Sequence, residues 1–251
     1  MSTIIAIQDS DLDFDYGTFD SAGFTKKTLA NPQALAAAID HTLLKPDTTR
    51  QQVEALCAEA EHYCFACVLV NPIWTSTAVA ALTGTGIPTG SVIGYPFGAS
   101  LVSTLRQEAA ALIRLGAREL DMVLPVGLLK SGDHQAVQRH IHSVVNVAHH
   151  HGALLKVTLE TNLLTMEEKL RAAEVAIQAG ADFIKTSTGF ASSGAAAADV
   201  ALLRGVAGAR CGIKASGGIR TLDQVRAMLE GGANRIGSSA AVAIVQELAA
   251  E

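Results

Sequence analysis

Several residue types that would mark a specialised protein are scarce in this chain of 251 residues. Charged residues make up 17% of it, the net charge is -5, and lysine and arginine form no cluster, which argues against a surface that binds nucleic acid. No apolar run is long enough to span a bilayer. The acidic N-terminal stretch lacks the basic and apolar regions of a signal peptide. These absences predict a globular, cytoplasmic protein with no membrane and no nucleic-acid partner.

Cysteine is also rare, with four residues in the whole chain. Cys64 and Cys67 form a C-x-x-C motif, but a structural zinc site would need a second pair, and none is present. Cys67 moreover lies inside the apolar run 66–70. We therefore predict ordinary buried thiols in a reducing compartment, with no metal and no cofactor.

One dipeptide recurs through the second half of the chain. Gly-Ala begins at positions 116, 152, 180, 208 and 232, at intervals of 24 to 36 residues. Each copy follows a segment of helical period that is rich in alanine and leucine, and each precedes a short apolar run. Glycine commonly ends a helix in the left-handed conformation, and a strand then begins within a few residues. The repeat therefore predicts helix–strand units and a parallel sheet.

The first half adds three more units of the same kind. We predict strands at Ala36–His41, Cys67–Asn71 and Gly90–Gly94, and helices at Arg50–Tyr63 and Pro72–Thr83. Eight such units predict a single (β/α)8 TIM barrel over residues 31–251, preceded by an acidic extension, 1–30, that is either disordered or a short helix. An open doubly wound sheet is the competing fold, but no G-x-G-x-x-G motif follows an early strand.

Polar and charged residues stand where most of these strands end. Catalytic groups of a TIM barrel lie at the carboxyl ends of its strands. Two-residue periodicity places Lys156 and Glu160 on one face of the fifth strand and makes Glu160 or Asp121 the predicted partner of Lys156. Charges inside a barrel are costly unless they are paired, so a mixed cluster is expected there. The strand-end positions are Asp40, Asn71, Asp121, Glu160, Lys185, Lys214 and Gly237.

Two lysines occupy the ends of neighbouring strands. Lys185 ends the sixth strand and Lys214 the seventh, and adjacent strands lie about 4.8 Å apart. Each ammonium disfavours protonation of the other and burial acts in the same direction, so one pKa is expected to fall to about 7–8. An uncharged lysine can attack a carbonyl and form a Schiff base. The alternative left open by these residues alone is that both lysines reach solvent and only pair with Asp121.

Two glycine-rich loops indicate a phosphate site. Ala215–Arg220 follows the seventh strand and Gly237–Ser239 follows the eighth. Barrels of this kind hold phosphate in these two loops, on backbone N–H groups and a helix N-terminus. Whether Arg220 adds a charge to this site is left open by the sequence.

Longer motifs resemble the deoxyribose-phosphate aldolases, a family of class I aldolases. The similarity covers residues 36 to about 240. It is most specific in Lys185-Thr-Ser-Thr-Gly189 and Lys214-Ala-Ser-Gly-Gly218. The other matching stretches are Ile39–Pro46, Val70–Pro72, Val92–Ala99, Glu119–Val123, Leu128–Asp133, Leu155–Thr161 and Arg235–Ser239.

The resemblance implies a metal-independent, reversible cleavage of 2-deoxy-D-ribose 5-phosphate to acetaldehyde and D-glyceraldehyde 3-phosphate. It makes Lys185 the Schiff-base lysine, and it makes Asp121 and Lys214 proton donors and acceptors, with Lys214 also lowering the pKa of Lys185. It further implies a homodimer. The implied phosphate-binding residues are Gly189, Gly217, Gly218, Gly237, Ser238 and Ser239.

The chain departs from the family pattern at three places. Leu69 stands where many relatives have a cysteine, Phe190 stands where some have a lysine, and Ala249-Ala-Glu251 replaces a terminal tyrosine. Two rival functions therefore accompany the aldolase hypothesis. One is a phosphate-binding lyase or isomerase that uses Asp121 and Lys214 without an imine, and the other is a non-catalytic binding barrel.

Overall fold

The fold is a closed barrel of eight parallel strands in the order β1 to β8, with β8 paired to β1. The computed structural model describes residues 17–191 and 193–251. The barrel confirms the fold class predicted from the helix–strand repeat. The strands are β1 (Ile39–Leu43), β2 (Cys67–Val70), β3 (Thr89–Ile93), β4 (Glu119–Val123), β5 (Leu154–Thr158), β6 (Phe183–Lys185), β7 (Gly212–Ser216) and β8 (Arg235–Ser238).

Helices connect the strands, and several begin with a strong start signal. Thr49, Thr165 and Thr221 each form a reciprocal capping box with the residue three positions later, which satisfies two backbone N–H groups per helix. The helices are α1 (Ser21–Thr28), α2 (Pro32–Ala36), α3 (Arg50–Tyr63), α4 (Thr75–Ala81), α5 (Val102–Arg114), α6 (Val126–Lys130), α7 (His134–His150), α8 (Met166–Gln178), α9 (Ala197–Ala207), α10 (Leu222–Glu230) and α11 (Ala241–Ala249), with 3₁₀ segments Pro72–Trp74 and Thr161–Leu163.

The first strand begins three residues later than predicted. Asn31 caps a short helix by accepting the N–H of Ala34 at 2.8 Å, and Pro32 supplies the fixed backbone angle of a first helical turn. The alanines assigned to the strand therefore close helix α2 instead. Asp40 consequently lies near the start of β1, and its side chain is fully buried rather than at the strand end.

The acidic extension is described only in part. Residues 1–16 lie outside the described residues, and the boundary at residue 30 stays a prediction. Helix α1 is capped by Asp20 and packs against α10. The Phe19 ring lies 4.0 Å from the guanidinium carbon of Arg204, a side chain that also donates to the carbonyls of Gly208 and Gly232. The segment therefore covers the amino end of the barrel beside α9.

Alternation along the strands divides the interior into two environments. In β4, Leu120 and Met122 belong to the large apolar core that also contains residues of the surrounding helices, while Glu119 and Asp121 point into the barrel. A second, small apolar cluster lies inside the barrel and consists of Leu44, Leu69 and Val92 with Tyr95 against it. Within the described ranges, no helix combines the length and apolarity needed to cross a membrane.

Candidate active site

A cavity of about 300 Å³ opens at the carboxyl ends of the strands. Lys185 and Lys214 lie at its base, and the small apolar cluster contributes Leu69 to one wall. Loops after β1, β6, β7 and β8 supply the remaining walls: Thr42–Pro46, Thr188–Phe190, Ser216–Arg220 and Gly237–Ser239. The structure thus brings together both predicted lysines and all six predicted phosphate-binding residues around one cavity, with Asp121 directly beneath.

Lys185 and Lys214 meet over one carboxylate. Their Cα atoms are register partners on β6 and β7. The Nζ of Lys185 lies 2.8 Å from Oδ2 of Asp121, and the Nζ of Lys214 lies 2.7 Å from the same oxygen. Lys185 is 2% exposed and Asp121 is fully buried. The three side chains form one hydrogen-bonded unit, and its lysines line the cavity.

Burial is the main reason that Lys185 holds its proton weakly. Desolvation lowers the pKa of Lys185 to about 8, the charges of Lys214 and Lys156 act in the same direction, and Asp121 opposes the shift. For Asp121, burial favours the neutral acid, but Lys156, Lys185 and Lys214 hold its pKa well below the ordinary range. At neutral pH the unit therefore contains a firmly ionised carboxylate beside an amine that loses its proton readily.

A second layer of charges lies beneath this unit. The Nζ of Lys156 is 2.8 Å from Oδ2 of Asp40 and 3.3 Å from Oδ1 of Asp121, and it also contacts Glu119. Arg235 reaches Oδ1 of Asp40 at 2.6 Å. Of the two partners predicted for Lys156, Asp121 is therefore present. Pairing with Glu160 is wrong, because Glu160 is directed towards the loop after β6.

Glu160 and Tyr95 hold Thr188 from two sides. The Glu160 carboxylate accepts the backbone N–H of Thr188 at 3.1 Å and its hydroxyl at 2.5 Å. The Tyr95 hydroxyl donates to the carbonyl of Thr188, and the Tyr95 ring centroid lies 5.9 Å from Nζ of Lys185. Glu160 adopts a left-handed backbone with φ +56, which is uncommon for this residue type. These contacts hold the segment that follows Lys185.

Side-chain hydrogen bonds also join the loops after β6 and β7. The Thr186 hydroxyl donates to the carbonyl of Ser216 at 3.1 Å and accepts the Ser216 N–H at 3.1 Å. The Ser216 hydroxyl donates to the carbonyl of Ser187 at 2.6 Å. The lysine-bearing segment and the start of the glycine-rich loop are therefore bonded to each other directly.

The glycine-rich loop requires glycine on steric grounds. Gly217 and Gly218 have φ values of +98 and +74, in the left-handed region. A Cβ atom on Gly194 would lie 2.0 Å from the Gly217 carbonyl oxygen, and one on Gly189 would lie 3.7 Å from the Gly217 Cα. Three backbone segments therefore converge on a small space at the cavity wall, where N–H groups can approach an anion.

The two serines after β8 differ in their availability. The Ser238 hydroxyl donates to the Ile219 carbonyl at 2.7 Å and accepts the N–H of Ala240, so it is committed to the fold. Ser239 is exposed and lines the cavity just before helix α11. Of the two hydroxyl groups predicted for phosphate binding, that of Ser239 has the better position.

Sequence reasoning missed one cation of the cavity, Lys45, which lies within the Ile39–Pro46 motif. Arg220, whose contribution the sequence left open, lines the cavity as well. Phe190, which stands where some relatives have a lysine, is 52% exposed and meets Tyr95 edge to face at 5.6 Å. Asn71 does not line the cavity and donates to the Leu44 carbonyl at 3.1 Å.

The cysteines match the predicted environment in three cases of four. Cys57, Cys67 and Cys211 are buried thiols, but Cys64 is exposed because it ends helix α3 with a left-handed backbone. Ligand atoms of Asp40, Cys67 and Glu119 lie within 4.8 Å of one another. Both carboxylates are already paired with Lys156 and Arg235, so the group is part of the charge layer.

Comparisons with known proteins agree with this architecture. The family model described as DeoC/LacD family aldolase matches residues 34–246. A deoxyribose-phosphate aldolase of Thermoanaerobacter sp. (strain X514) is 48% identical over 214 residues, 85% of this chain and 96% of that protein. One of Geobacillus sp. (strain WCH70) is 50% identical over 212 residues, 84% and 95% of the two chains. The tetrameric deoxyribose phosphate aldolase structure from Aeropyrum pernix superposes with a TM-score of 0.85 at 33% identity, covering 92% and 97%.

The closed barrel and the buried lysine cluster define the class, a (β/α)8 barrel enzyme with two lysines at the base of its cavity. The chain belongs to the DeoC/LacD family of aldolases and is therefore a lyase. The family predicted from the lysine and glycine motifs is thereby confirmed.

The titration of Lys185 can be measured directly. Reductive methylation with formaldehyde modifies uncharged amines, and peptide mass spectrometry reports the rate at Lys185 between about pH 6 and 10. We expect a half-maximal rate near pH 8, about two units below an ordinary lysine. In Asp121→Asn the midpoint should fall further, because the carboxylate that opposes the shift is lost. A midpoint above about pH 10 in the unaltered protein would show that the pKa of Lys185 is not lowered.

Proposed function

We propose that the protein is a class I aldolase that reversibly cleaves 2-deoxy-D-ribose 5-phosphate to acetaldehyde and D-glyceraldehyde 3-phosphate. The observation that carries this proposal is the pair Lys185 and Asp121: an amine with a pKa of about 8 at the base of a cavity, 2.8 Å from a buried carboxylate. Relatives that are about half identical over most of the chain are named deoxyribose-phosphate aldolase. An imine requires no metal, because it withdraws electrons itself.

The residues at the cavity base fit each step. The neutral Lys185 amine attacks the aldehyde carbon of the open-chain sugar, and the resulting carbinolamine loses water to give an iminium ion. Cleavage of the C2–C3 bond sends its electron pair into the iminium as an enamine while the C3 hydroxyl loses its proton. Asp121 and Lys214, joined at 2.7 Å, accept and return the protons. Protonation of the enamine and hydrolysis then release acetaldehyde and regenerate the amine.

The proposed phosphate site is the glycine-rich wall of the same cavity. The 5-phosphate binds the backbone of Gly189, Gly217, Gly218 and Gly237 and the hydroxyl of Ser239, while Ser238 supports the loop. Lys45 and Arg220 line this space and supply positive charge where Phe190 does not. Helix α11 begins two residues after Ser239 and directs its N-terminal N–H groups towards the loop.

The proposed location is the cytoplasm. The four described cysteines are free thiols, which fits a reducing compartment.

The proposed assembly is a homodimer. It would cover three exposed apolar side chains on the loops after β2 and β3, namely Ile73 (75% exposed), Phe97 (79%) and Leu101 (74%).

The imine can be trapped on its lysine. Reduction with borohydride in the presence of acetaldehyde should leave a two-carbon adduct on Lys185, with or without EDTA, because only an uncharged amine forms the imine. Peptide mass spectrometry locates the adduct. Lys185→Ala should lose the adduct and at least about 10³-fold in turnover while its thermal midpoint stays near that of the unaltered protein. An adduct on Lys156 or Lys214 alone, or none at all, would exclude the assigned roles and favour an isomerase or lyase without an imine.

The phosphate loop can be tested by comparing two substrates. Gly217→Ala places a Cβ atom 3.2 Å from Gly194 and Ser187 in a left-handed backbone, so the cradle must shift. We expect kcat/KM for 2-deoxy-D-ribose 5-phosphate to fall by about 10- to 100-fold, the effect of losing a hydrogen bond to a charged group. Activity on unphosphorylated 2-deoxyribose should change much less.

Gly84→Ala is the control for Gly217→Ala, because Gly84 also has a positive φ but open space around its Cα. Equal losses with the phosphorylated and unphosphorylated sugars would show that the cradle does not bind phosphate.

The dimer is tested by light scattering after size exclusion. The unaltered protein should elute with twice the chain mass of 26.0 kDa, and Phe97→Glu should elute as a monomer because a charge cannot be buried in an apolar interface. Leu163→Glu serves as the control, because Leu163 is an exposed apolar residue on the 3₁₀ segment after β5 and lies outside the proposed interface. A monomeric unaltered protein would exclude the dimer.

A further inference from the structure

The ion pairs inside the barrel form one network whose charges do not cancel. Within the described residues, its cations are four, Lys156, Lys185, Lys214 and Arg235, and its carboxylates are three, Asp40, Glu119 and Asp121. With every group ionised the network would carry one surplus positive charge. A buried surplus charge is costly, so the network favours the loss of one proton.

The contacts show which cation loses its proton most readily. Lys156 contacts all three carboxylates, and Lys214 reaches Asp40 at 2.5 Å and Asp121 at 2.7 Å. Arginine keeps its proton at every accessible pH. Lys185 has a single carboxylate partner in the network, Asp121, which it shares with Lys214. Lys185 is therefore the cation that loses a proton to remove the surplus positive charge.

Arg235 and Glu119 are the members of the network farthest from the cavity. They are the first residues of β8 and β4 and do not line the cavity. Arg235 lies 2.6 Å from Asp40 and 3.4 Å from Glu119. Arg235 pairs with one oxygen of Asp40, while Lys156 and Lys214 share the other. Lys214 also shares Asp121 with Lys185.

We propose that Arg235 and Glu119 are positioning residues that set the charge of Lys185 from the opposite end of the barrel. Arg235 supplies the cation that makes the charges unequal, and Glu119 limits the inequality to one. The inference rests on the proposed function, because it concerns the amine that forms the imine. It assigns a role in catalysis to two residues that contact neither the cavity nor its contents.

Other described titratable groups lie near Lys185 but form no ion pair with the cations of the network. Glu160 from the end of β5 is bonded to Thr188 and joins no ion pair in the described structure. Burial and the charges of Asp121 and Glu160 raise the pKa of Tyr95, from the loop after β3, so its hydroxyl stays neutral. Burial and the charge of Glu119 raise the pKa of Cys67 on β2, which is neutral as well.

The size of the effect follows from the strand geometry. Glu119 lies two residues below Asp121 on β4, which is about 7 Å along a strand. A unit charge about 10 Å away shifts a pKa by about one unit at an effective dielectric constant of about 20. The shift should have opposite signs for the two residues, since one is a cation and the other an anion.

The test measures how imine formation at Lys185 depends on pH in three variants. Acetaldehyde and cyanoborohydride convert the imine to a stable adduct, and peptide mass spectrometry gives the initial rate at Lys185 between about pH 6 and 10. Removing the cation in Arg235→Gln should move the midpoint up by about one unit, and removing the anion in Glu119→Gln should move it down by about one unit. The double variant restores the surplus of one and should return the midpoint close to the unaltered value.

Matched controls separate this effect from a change in total charge. Arg226→Gln and Glu168→Gln alter the same charges on the surface, in the exposed pairs Arg226–Glu251 and Lys130–Glu168, where solvent screens them. Their midpoints should not move. Arg235→Lys keeps the charge and should stay within a few tenths of a unit of the unaltered protein.

The outcomes distinguish the inference from the proposed function. Failure to trap any adduct on Lys185 in the unaltered protein would overturn the proposed function. An adduct whose midpoint is the same in Arg235→Gln and Glu119→Gln, or moves in the same direction in both, would overturn the inference alone. If circular dichroism shows that Arg235→Gln does not fold, Glu119→Gln and Glu168→Gln still provide the test. A lower midpoint in Glu119→Gln with an unchanged midpoint in Glu168→Gln would support the inference, and an unchanged midpoint in both would overturn it.

Discussion

The interior of this barrel depends on the pairing of buried charges. Asp40 and Asp121 are fully buried carboxylates, and neither could stay ionised without the cations around it. Pairing removes most of the cost of burial but not the inequality between four cations and three carboxylates. The lowered pKa of Lys185 then follows from its burial and from the balance of charges in the interior. Among the cations of the network, Lys185 has the fewest carboxylate partners, and the neighbouring charges of Lys214 and Lys156 lower its pKa further.

This arrangement also separates two tasks that share one cavity. The strands hold the charges, and their register is fixed by the backbone ladders of a closed sheet. The loops hold the glycine cradle and the clamp on Thr188. A change in a loop can therefore alter the recognition of a substrate while the charge of Lys185, set by residues as deep as Arg235, stays the same.

Much of the fold could be predicted because the signal is repeated. The Gly-Ala dipeptide marks a helix end and a strand start five times, and helix α3 runs from Arg50 to Tyr63 as predicted because Thr49 and Gln52 form a capping box. The start of the first strand was predicted three residues too early, because alanine suits the end of a short helix as well as the start of a strand. Two-residue periodicity likewise placed Lys185 and Lys214 correctly, since parity is conserved within a strand.

The contacts across the barrel could not be predicted from the sequence. Parity put Lys156 and Glu160 on one face, yet the left-handed backbone at Glu160 turns its side chain towards Thr188. Asp40 and Arg235 are 195 positions apart, and only closure of the sheet brings them within 2.6 Å. Lys45 lines the cavity because of the path of the loop after β1, and this path follows no sequence periodicity from which it could be predicted.

The hydrogen bonds between Thr186 and Ser216 have a consequence for size selection. They join the segment that carries the Lys185 amine directly to the loop that carries the glycine cradle, so the separation between the two is held by hydrogen bonds. The distance between the Lys185 amine and the glycine cradle then selects substrates by their length. Under the proposed function, a phosphorylated aldehyde must match this separation to reach the Lys185 amine and the glycine cradle together.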